Sequence, residues 1–145
     1  MVEKLPVKIV ELTSGCIPVR AHSHDAGADL KAREDVTIPA KGRALVGTGV
    51  AIETPAGYVS MVCSRSGLAH KKGIHVLNAP GIVDAGYTGE IFVNLHNTTN
   101  EDVHISAFER VAQLIITPVV YADFVKTDKL GDSERGSNGH GSTGK

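Results

Sequence analysis

Phosphate binding is the chemistry suggested by a polar turn at residues 64–69, which read Ser-Arg-Ser-Gly-Leu-Ala. The turn follows an apolar stretch, and its hydroxyl, guanidinium and backbone N–H groups precede a possible helical turn. Donors at the start of a helix can bind a phosphate. The same residues could equally form an ordinary capped turn with an exposed arginine. Spacing alone leaves both interpretations open.

A carboxylate and an aromatic ring follow in residues 78–90, a glycine-rich segment that is predicted to form two strands joined by a hairpin. Its glycines would let a ligand approach the backbone closely. Taken alone, Asp84 fits a turn-forming aspartate bonded to nearby N–H groups, and Tyr87 fits a packed amphipathic side chain. The segment by itself therefore does not establish a catalytic site.

A second carboxylate, Asp29, is predicted at the head of a strand, where it could face a Mg²⁺ ion through water. Mg²⁺ keeps several waters and takes few carboxylates. A solvated aspartate ahead of a strand is the common alternative. The seven histidines and two cysteines show neither zinc-ligand spacing nor a helical H-E-x-x-H pattern, so a zinc site is not expected.

Residues 131–145 differ in kind from the rest of the chain, because they contain five glycines and no Ala, Val, Ile, Leu, Met or Phe. Such a segment cannot join a core by itself, and a disordered solubilising terminus is the simplest interpretation. Its donors, among them Arg135, Ser142 and Thr143, would also suit a segment that becomes ordered by wrapping an oligophosphate.

The elements that must position these residues are predicted to be short strands separated by turns. β-Branched residues are abundant, with 17 Val, 10 Ile and 10 Thr against 9 Leu, and they favour strands. A single helix is predicted over Ser66–Lys72, with Ser64 or Ser66 as its cap and Gly73 after its end. The pattern predicts an all-β barrel or jelly roll. The eleven candidate strands are residues 7–12, 29–32, 36–38, 43–46, 50–52, 58–63, 74–77, 90–96, 103–105, 111–117 and 121–125.

Composition narrows the class of protein. A chain of 145 residues suits one domain, here residues 1–130, with residues 131–145 as a flexible C-terminal arm. A net charge of -1 disfavours nucleic-acid binding. No apolar run approaches the roughly 20 residues needed to cross a bilayer, so we expect a cytoplasmic protein without membrane contact. Cys16 and Cys63 are expected to be free thiols.

Taken together and in order, these segments resemble the five motifs of the homotrimeric dUTPase family, the dUTP diphosphatases. Each motif alone is weakly specific, whereas five in order over nearly the whole chain are strongly specific. The matching segments are residues 26–30, 64–69, 81–90, 109–115 and 135–144.

The resemblance implies a jelly-roll subunit, three of which assemble with active sites at their junctions. It also implies Mg²⁺-dependent hydrolysis of dUTP to dUMP and pyrophosphate by attack of water on the α-phosphorus. Such a reaction limits the incorporation of uracil into DNA and supplies dUMP for thymidylate synthesis.

The resemblance also assigns roles around the base and sugar. Asp84 would orient and deprotonate the attacking water, a general-base role. Tyr87 would pack under the deoxyribose and exclude a 2′-hydroxyl by shape. The edge of uracil would be recognised by Asn78 and by backbone groups near Gly81 and Val83, which would penalise cytosine by leaving buried polar groups unpaired.

On the phosphate side, the resemblance implies that Arg65, Ser66, Gly67 and Gln113 bind the phosphate chain. Asp29 would hold water on a Mg²⁺ ion chelated by the three phosphates. The arm would then close over the nucleotide. The arm residues assigned to binding are Arg135, Gly139, His140, Gly141, Ser142 and Thr143.

Three positions depart from the family pattern, of which Asn138, in place of a common arm glycine, is a mild change because Asn tolerates left-handed conformations. His140 replaces the usual Phe of the arm, and its smaller ring is expected to stack on uracil more weakly. Phe108 replaces a usual glycine ahead of the fourth motif, so its turn cannot depend on easy access to positive φ.

Two other functions compete with dUTP hydrolysis. A dCTP deaminase-type enzyme has a similar fold, but it differs in the acidic residues of the third motif and lacks the Arg- and Gly-rich fifth motif. A dUTPase-like binding module that regulates a partner through a nucleotide-responsive arm is the alternative from another class.

Overall fold

Residues 4–141 and 143–144 are described by the structure, which is a computed structural model. Ten strands and one helix lie in this part of the chain, and the fold is all-β as predicted. The elements in chain order are β1 (Lys8–Glu11), β2 (Ala28–Lys31), β3 (Val36–Ile38), β4 (Arg43–Glu53), β5 (Tyr58–Cys63), α1 (Ser66–Lys72), β6 (Ile74–Val76), β7 (Gly81–Val83), β8 (Glu90–Asn97), β9 (Val103–Ile105) and β10 (Arg110–Pro118).

The strands pair antiparallel and form two four-stranded sheets and one two-stranded sheet. The first sheet has the order β1-β4-β8-β6, the second has the order β2-β10-β5-β7, and β3 pairs with β9. Both four-stranded sheets contribute to one core, for example through Leu95 of β8 and Leu114 of β10. Two antiparallel sheets around one core form a jelly roll, so the predicted jelly-roll-like β-barrel is confirmed.

β8 illustrates how the sequence produces this core. Ile91, Val93 and Leu95 are at most 1% exposed, whereas Phe92 between them is 41% exposed. Successive side chains of a strand point to opposite faces. The period of two in the sequence is therefore confirmed as a half-buried strand.

The predicted strands 43–46 and 50–52 are in fact one strand, β4. Its pairing with β8 shifts in register between Gly47 and Ala51, and Gly49 has a φ of 71°. Thr48, which is buried, donates its hydroxyl to the carbonyl of Ile91 at 2.7 Å. Gly47 and Gly49, which lie between the two predicted strands, do not end a strand but form an irregularity within the continuous strand β4.

The predicted strand 121–125 is wrong. β10 ends at Pro118, and Val120 and Phe124 are 88% and 94% exposed. A strand needs a neighbour to accept its backbone hydrogen bonds, and β-propensity cannot replace that neighbour. No described strand of the chain pairs with this segment.

The predicted hairpin within residues 78–90 is also wrong. Strands β7 and β8 flank the turn, but β7 pairs with β5 in the second sheet and β8 pairs with β4 and β6 in the first. Residues 84–89 therefore cross from one sheet to the other. We call them the Asp84 segment.

Helix α1 has the predicted bounds but a different N-cap. Arg65 occupies the cap position without a side-chain hydrogen bond, and Ser64 Oγ accepts a hydrogen bond from the backbone of Val76 at 2.9 Å. Gly73 ends the helix with a φ of 66°, as predicted. The described residues form no helix with the length and apolarity of a membrane span.

The two cysteines are free thiols. Cys16 lies in the core, and burial raises the pKa of its thiol. A neutral buried thiol packs as a small apolar group.

Candidate active site

Three residues that are distant in sequence, Asp29, Arg65 and Gln113, meet in the second sheet. Asp29 on β2 and Cys63 on β5 both pair with Gln113 on β10. Arg65 follows β5, and its Nε lies 3.3 Å from Oδ1 of Asp29. The side-chain amide of Gln113 donates to the carbonyl of Ser64 at 2.8 Å. Three of the predicted phosphate-side residues are therefore brought together.

Arg110 joins this group, although sequence analysis assigned it no role. Its Nη1 lies 3.4 Å from Oδ2 of Asp29, and its carbonyl accepts a hydrogen bond from Arg65 Nη1 at 3.1 Å. The sequence signal that could have identified Arg110 is its charge together with its position in the matching segment 109–115. We call Asp29, Arg65, Arg110 and Gln113 the Asp29 cluster.

Ser66 and Gly67 extend this site into the first turn of α1. Both are exposed, and they directly follow Arg65. A Cβ atom added to Gly67 would meet no atom within 4 Å. The turn is therefore open on the side that a ligand would approach.

Gly27 sets the position of the Gln113 side chain. A Cβ atom on Gly27 would collide with Oε1 of Gln113 and would lie 2.9 Å from its Cδ and 3.0 Å from its Cβ. The absence of a side chain at Gly27 thus leaves the space that the amide occupies.

The Asp84 segment forms a second group. The side chain of Asp84 is exposed, and its carbonyl accepts a hydrogen bond from the backbone of Tyr87 at 3.0 Å. Tyr87 donates its hydroxyl to the carbonyl of Glu90 at 2.6 Å, and the residue is 45% exposed. The phenol is held at its hydroxyl end while much of its ring remains accessible.

Gly81 and Val83 lie on β7, at the edge of the second sheet. They are buried and pair with Val62 and Ser60 of β5. Asn78 is exposed, and its Nδ2 is 3.4 Å from the position that a Cβ of Gly81 would take. An edge strand presents backbone N–H and C=O groups on its unpaired side.

The two groups lie toward opposite ends of β5. Asp84 follows Val83, whose partner is Ser60, whereas Arg65 comes five residues after Ser60 along the chain. At a rise of about 3.4 Å per residue, the strand between Ser60 and Cys63 alone spans about 10 Å. In one chain, Asp84 and the Asp29 cluster are therefore separated by about 10 Å or more along the direction of β5.

The described part of the arm bonds within itself. Arg135 Nε donates to the carbonyl of Asn138 at 2.7 Å, and its Nη2 donates to the carbonyl of Gly139 at 3.3 Å. Ser142 lies outside the described residues. The predicted arm residues that are described are all exposed, namely Arg135, Gly139, His140, Gly141 and Thr143. None of them is hydrogen-bonded to the Asp29 cluster or to Asp84.

Phe108 takes up the left-handed conformation that a glycine would adopt easily. Its φ is 70°, and its N–H donates to the carbonyl of Ala32 at 2.7 Å. The ring is 49% exposed and lies near Gly15, whose added Cβ would be 3.5 Å from it. The turn is thus kept in spite of the bulky residue, which bears a conformational cost.

We expect Phe108→Gly to raise the free energy of unfolding by about 0.5–1 kcal/mol. Left-handed conformation costs a bulky residue roughly 1–2 kcal/mol, and the greater freedom of glycine in the unfolded chain offsets part of this gain. Urea unfolding of wild type, Phe108→Gly and Phe108→Ala measures the effect. The Ala variant, which keeps a Cβ at positive φ, should show no gain. A Gly variant less stable than the wild type would show that packing of the Phe108 ring outweighs its conformational cost.

The described residues include no group of three or more His, Cys, Asp or Glu side chains that could hold a metal directly, so a Mg²⁺ ion could contact the Asp29 cluster only through water on Asp29. The Asp29 side chain is 15% exposed, and its two arginine contacts of 3.3 and 3.4 Å are longer than a tight charge-assisted hydrogen bond. A carboxylate has about four lone-pair sites. The two contacts therefore leave Asp29 able to accept hydrogen bonds from the water of a hydrated ion.

Comparison with known proteins gives a consistent result. The dUTPase family profile matches residues 13–144. The deoxyuridine 5'-triphosphate nucleotidohydrolase of Cutibacterium acnes is 50% identical over 129 residues, which cover 88% of this chain and 85% of that protein. The enzyme of the same name from Corynebacterium glutamicum is 46% identical over 147 residues, covering 100% of this chain and 99% of that protein.

Among solved structures, a G164S mutant of the Staphylococcus bacteriophage 80alpha dUTPase with dUpNHpp superposes with a TM-score of 0.88. It is 28% identical, and the match covers 97% of this chain and 99% of that one. The profile, the relatives and the shared fold agree over nearly the whole length, and the chain belongs to the dUTPase family.

Proposed function

We propose that this chain hydrolyses dUTP to dUMP and pyrophosphate in a Mg²⁺-dependent reaction, through the site residues described above. The observation that carries the proposal is the convergence of Asp29, Arg65 and Gln113 in one cluster. These residues come from three separate sequence segments, and together they offer the positive charge, amide and carboxylate that a hydrated metal–triphosphate complex requires.

Asp84 acts as the general base in this proposal. Its carboxylate is exposed at the turn between the two sheets, where it can accept a proton from water. The backbone bond from Tyr87 fixes the turn. The water attacks the α-phosphorus, and pyrophosphate leaves.

Recognition of the base and sugar is assigned to the neighbouring edge strand. The unpaired backbone edge at Gly81 and Val83 suits the alternating acceptor and donor groups of uracil, and Asn78 lies beside it. The accessible ring of Tyr87, held through its hydroxyl, would pack under the deoxyribose.

The phosphate chain is assigned to Arg65, Ser66, Gly67 and Gln113. When bound, Mg²⁺ supplies positive charge that stabilises the phosphates. Asp29 would hold the ion through water, and the open first turn of α1 would receive phosphate oxygens.

A homotrimer is the assembly we propose, with residues 1–130 as the barrel domain and residues 131–145 as a flexible arm. The separation of Asp84 from the Asp29 cluster within one chain supports a site shared between subunits, because a single nucleotide must meet both. The arm, which is exposed in the described residues, would then close over a site built by other subunits, bringing Arg135 and His140 to the nucleotide.

We expect Gly27→Ala to weaken binding of the imido analogue of dUTP by about 10-fold, since the added methyl would displace the Gln113 amide that the site uses. Calorimetry measures the dissociation constant. Gly131→Ala is the matched control, because a Cβ there would meet no atom within 4 Å. Equal affinities of the Gly27→Ala variant and the wild type would show that Gln113 does not bind the phosphate chain.

The test of the function is pyrophosphate release from dUTP, dCTP, dTTP and UTP, with and without Mg²⁺. We expect release from dUTP in the presence of Mg²⁺ and little from the other three nucleotides. Ammonia released from dCTP would indicate a deaminase instead. Tight binding of dUTP without turnover would indicate a binding module.

A further inference from the structure

Arg110 owes its orientation to an irregularity in β10. The pairing of β10 with β2 shifts in register, since Arg110 pairs with Lys31 and Ala112 pairs with Leu30, leaving Val111 as the extra residue. Val111 and Ala112 are 1% and 0% exposed although they are adjacent. Adjacent side chains of a regular strand face opposite sides, so a β-bulge turns the strand here.

The bulge brings Arg110 and Gln113 to the same face of the sheet. Residues three apart would face opposite sides of a regular strand, but the extra residue corrects the alternation. Gln113 pairs with Asp29, and Arg110 pairs with Lys31, two residues further along β2. The bulge therefore aims Arg110 at Asp29, which explains why a period of two in the sequence could not reveal the contact.

Arg110 is linked to Arg65 both through Asp29 and by a direct hydrogen bond. Each oxygen of Asp29 faces one arginine, with Oδ1 at 3.3 Å from Arg65 Nε and Oδ2 at 3.4 Å from Arg110 Nη1. In addition, Arg65 Nη1 donates to the backbone carbonyl of Arg110 at 3.1 Å. A guanidinium has five N–H donors, so two of them fix Arg65 and the others stay available for phosphate oxygens.

The net charge of these side chains also supports a role of Arg110 in the phosphate site. Asp29 and Arg65 alone would form a neutral pair, whereas Arg110 gives the three side chains a net charge of +1. The carboxylate then holds Arg65 in place without cancelling the positive charge that attracts phosphate. Arg110 and Asp29 also line one cavity of about 290 Å³.

The contact contributes little to folding. The Arg110 side chain is 53% exposed, compared with 31% for Arg65 and 15% for Asp29. Ion pairs with such exposure add little to stability. A role in the site explains the bulge and the contact better than a role in the core.

We propose that Arg110 is a positioning residue, which holds Asp29 and through it Arg65 in the arrangement that receives the phosphate chain. The inference rests on the proposed function, because it concerns the same nucleotide site. Arg110 acts through Arg65 and need not touch the nucleotide.

The experiment measures binding of the imido analogue of dUTP by calorimetry, in excess EDTA and in Mg²⁺, with the full chain. Arg110→Gln should weaken metal-free binding by about 10-fold. In an Arg65→Gln background the same substitution should weaken binding by less than about 2-fold, because its target has been removed. Arg110→Lys, which restores a cation beside Asp29, should recover most of the affinity.

Lys31→Gln is the matched control. Lys31 lines the same cavity, but its ammonium donates to the carbonyl of Gly15 at 2.9 Å and forms no ion pair with Asp29 among the described residues. It should change the affinity by less than about 2-fold. The midpoint of thermal unfolding of all variants is measured alongside, and Arg110→Gln should leave it within about 2 °C of wild type.

Three results would overturn the inference. An unchanged affinity in Arg110→Gln would show that Arg110 does not position the site. An equal loss with and without Arg65 would show that Arg110 acts on the nucleotide directly. A loss of affinity equal to that of Lys31→Gln would show that Arg110 contributes only its positive charge and does not position Asp29 or Arg65. If the wild-type chain neither bound the analogue nor hydrolysed dUTP, the proposed function would fail first, and the inference with it.

Discussion

Asp84→Asn is expected to lower kcat for dUTP hydrolysis by about 10²–10⁴-fold, the usual contribution of a general base. The side chains have nearly the same shape, and the hydrogen bond that fixes this turn uses the carbonyl of residue 84, which the substitution keeps. The dissociation constant of the imido analogue should therefore stay within about 3-fold of wild type. Steady-state pyrophosphate release and calorimetry measure the two quantities.

The matched control is Asp128→Asn, which neutralises an exposed carboxylate outside the motifs. It should leave both kcat and affinity unchanged. Turnover of Asp84→Asn within a few-fold of wild type would exclude Asp84 as the base, and weakened binding with unchanged kcat would assign it to nucleotide binding.

Deletion of residues 131–145 is expected to leave a folded protein with kcat/KM for dUTP lowered by at least about 100-fold. The described arm residues bond only with one another, so the midpoint of thermal unfolding should stay within about 2 °C. Loss of the arm would leave the nucleotide open to water and without the donors of Arg135. Activity assays and circular dichroism measure the two effects.

A mixing experiment with these two variants tests whether the site is shared. Asp84→Asn keeps its arm, and the truncated chain keeps Asp84. If a site takes these parts from different subunits, unfolding and refolding the two chains together should recover activity that neither has alone. Mixtures no more active than their components would place Asp84 and the arm of one chain in the same site.

The sequence predicts the regular elements because their side chains alternate. The bounds of β3, β5, β9 and α1 agree with the prediction, since turn residues flank short apolar runs in each case. The alternation of β8 was likewise sufficient to exclude a helix. Local pattern and observed structure agree wherever a strand is regular and its ends are marked by turn residues.

The failures share a physical cause, which is that pairing partners are not encoded locally. Residues 121–125 have strand composition but no neighbour in the described chain, and β7 and β8 are consecutive strands that belong to different sheets. The bulge at Val111 also depends on the partner strand β2. Arg110 was therefore missed, whereas Asp29, Arg65 and Gln113 could be named from their motifs.

The exposed stretch of residues 119–125 has a practical consequence for handling the protein. It reads Val-Val-Tyr-Ala-Asp-Phe-Val, with one charge in seven residues, and Val120, Phe124 and Val125 are 88%, 94% and 75% exposed. Short segments with high β-propensity and low charge are prone to cross-β aggregation. Asp123 interrupts the run as a gatekeeper. Concentrated preparations should therefore be vulnerable to precipitation through this stretch, in which Asp123 is the single charge.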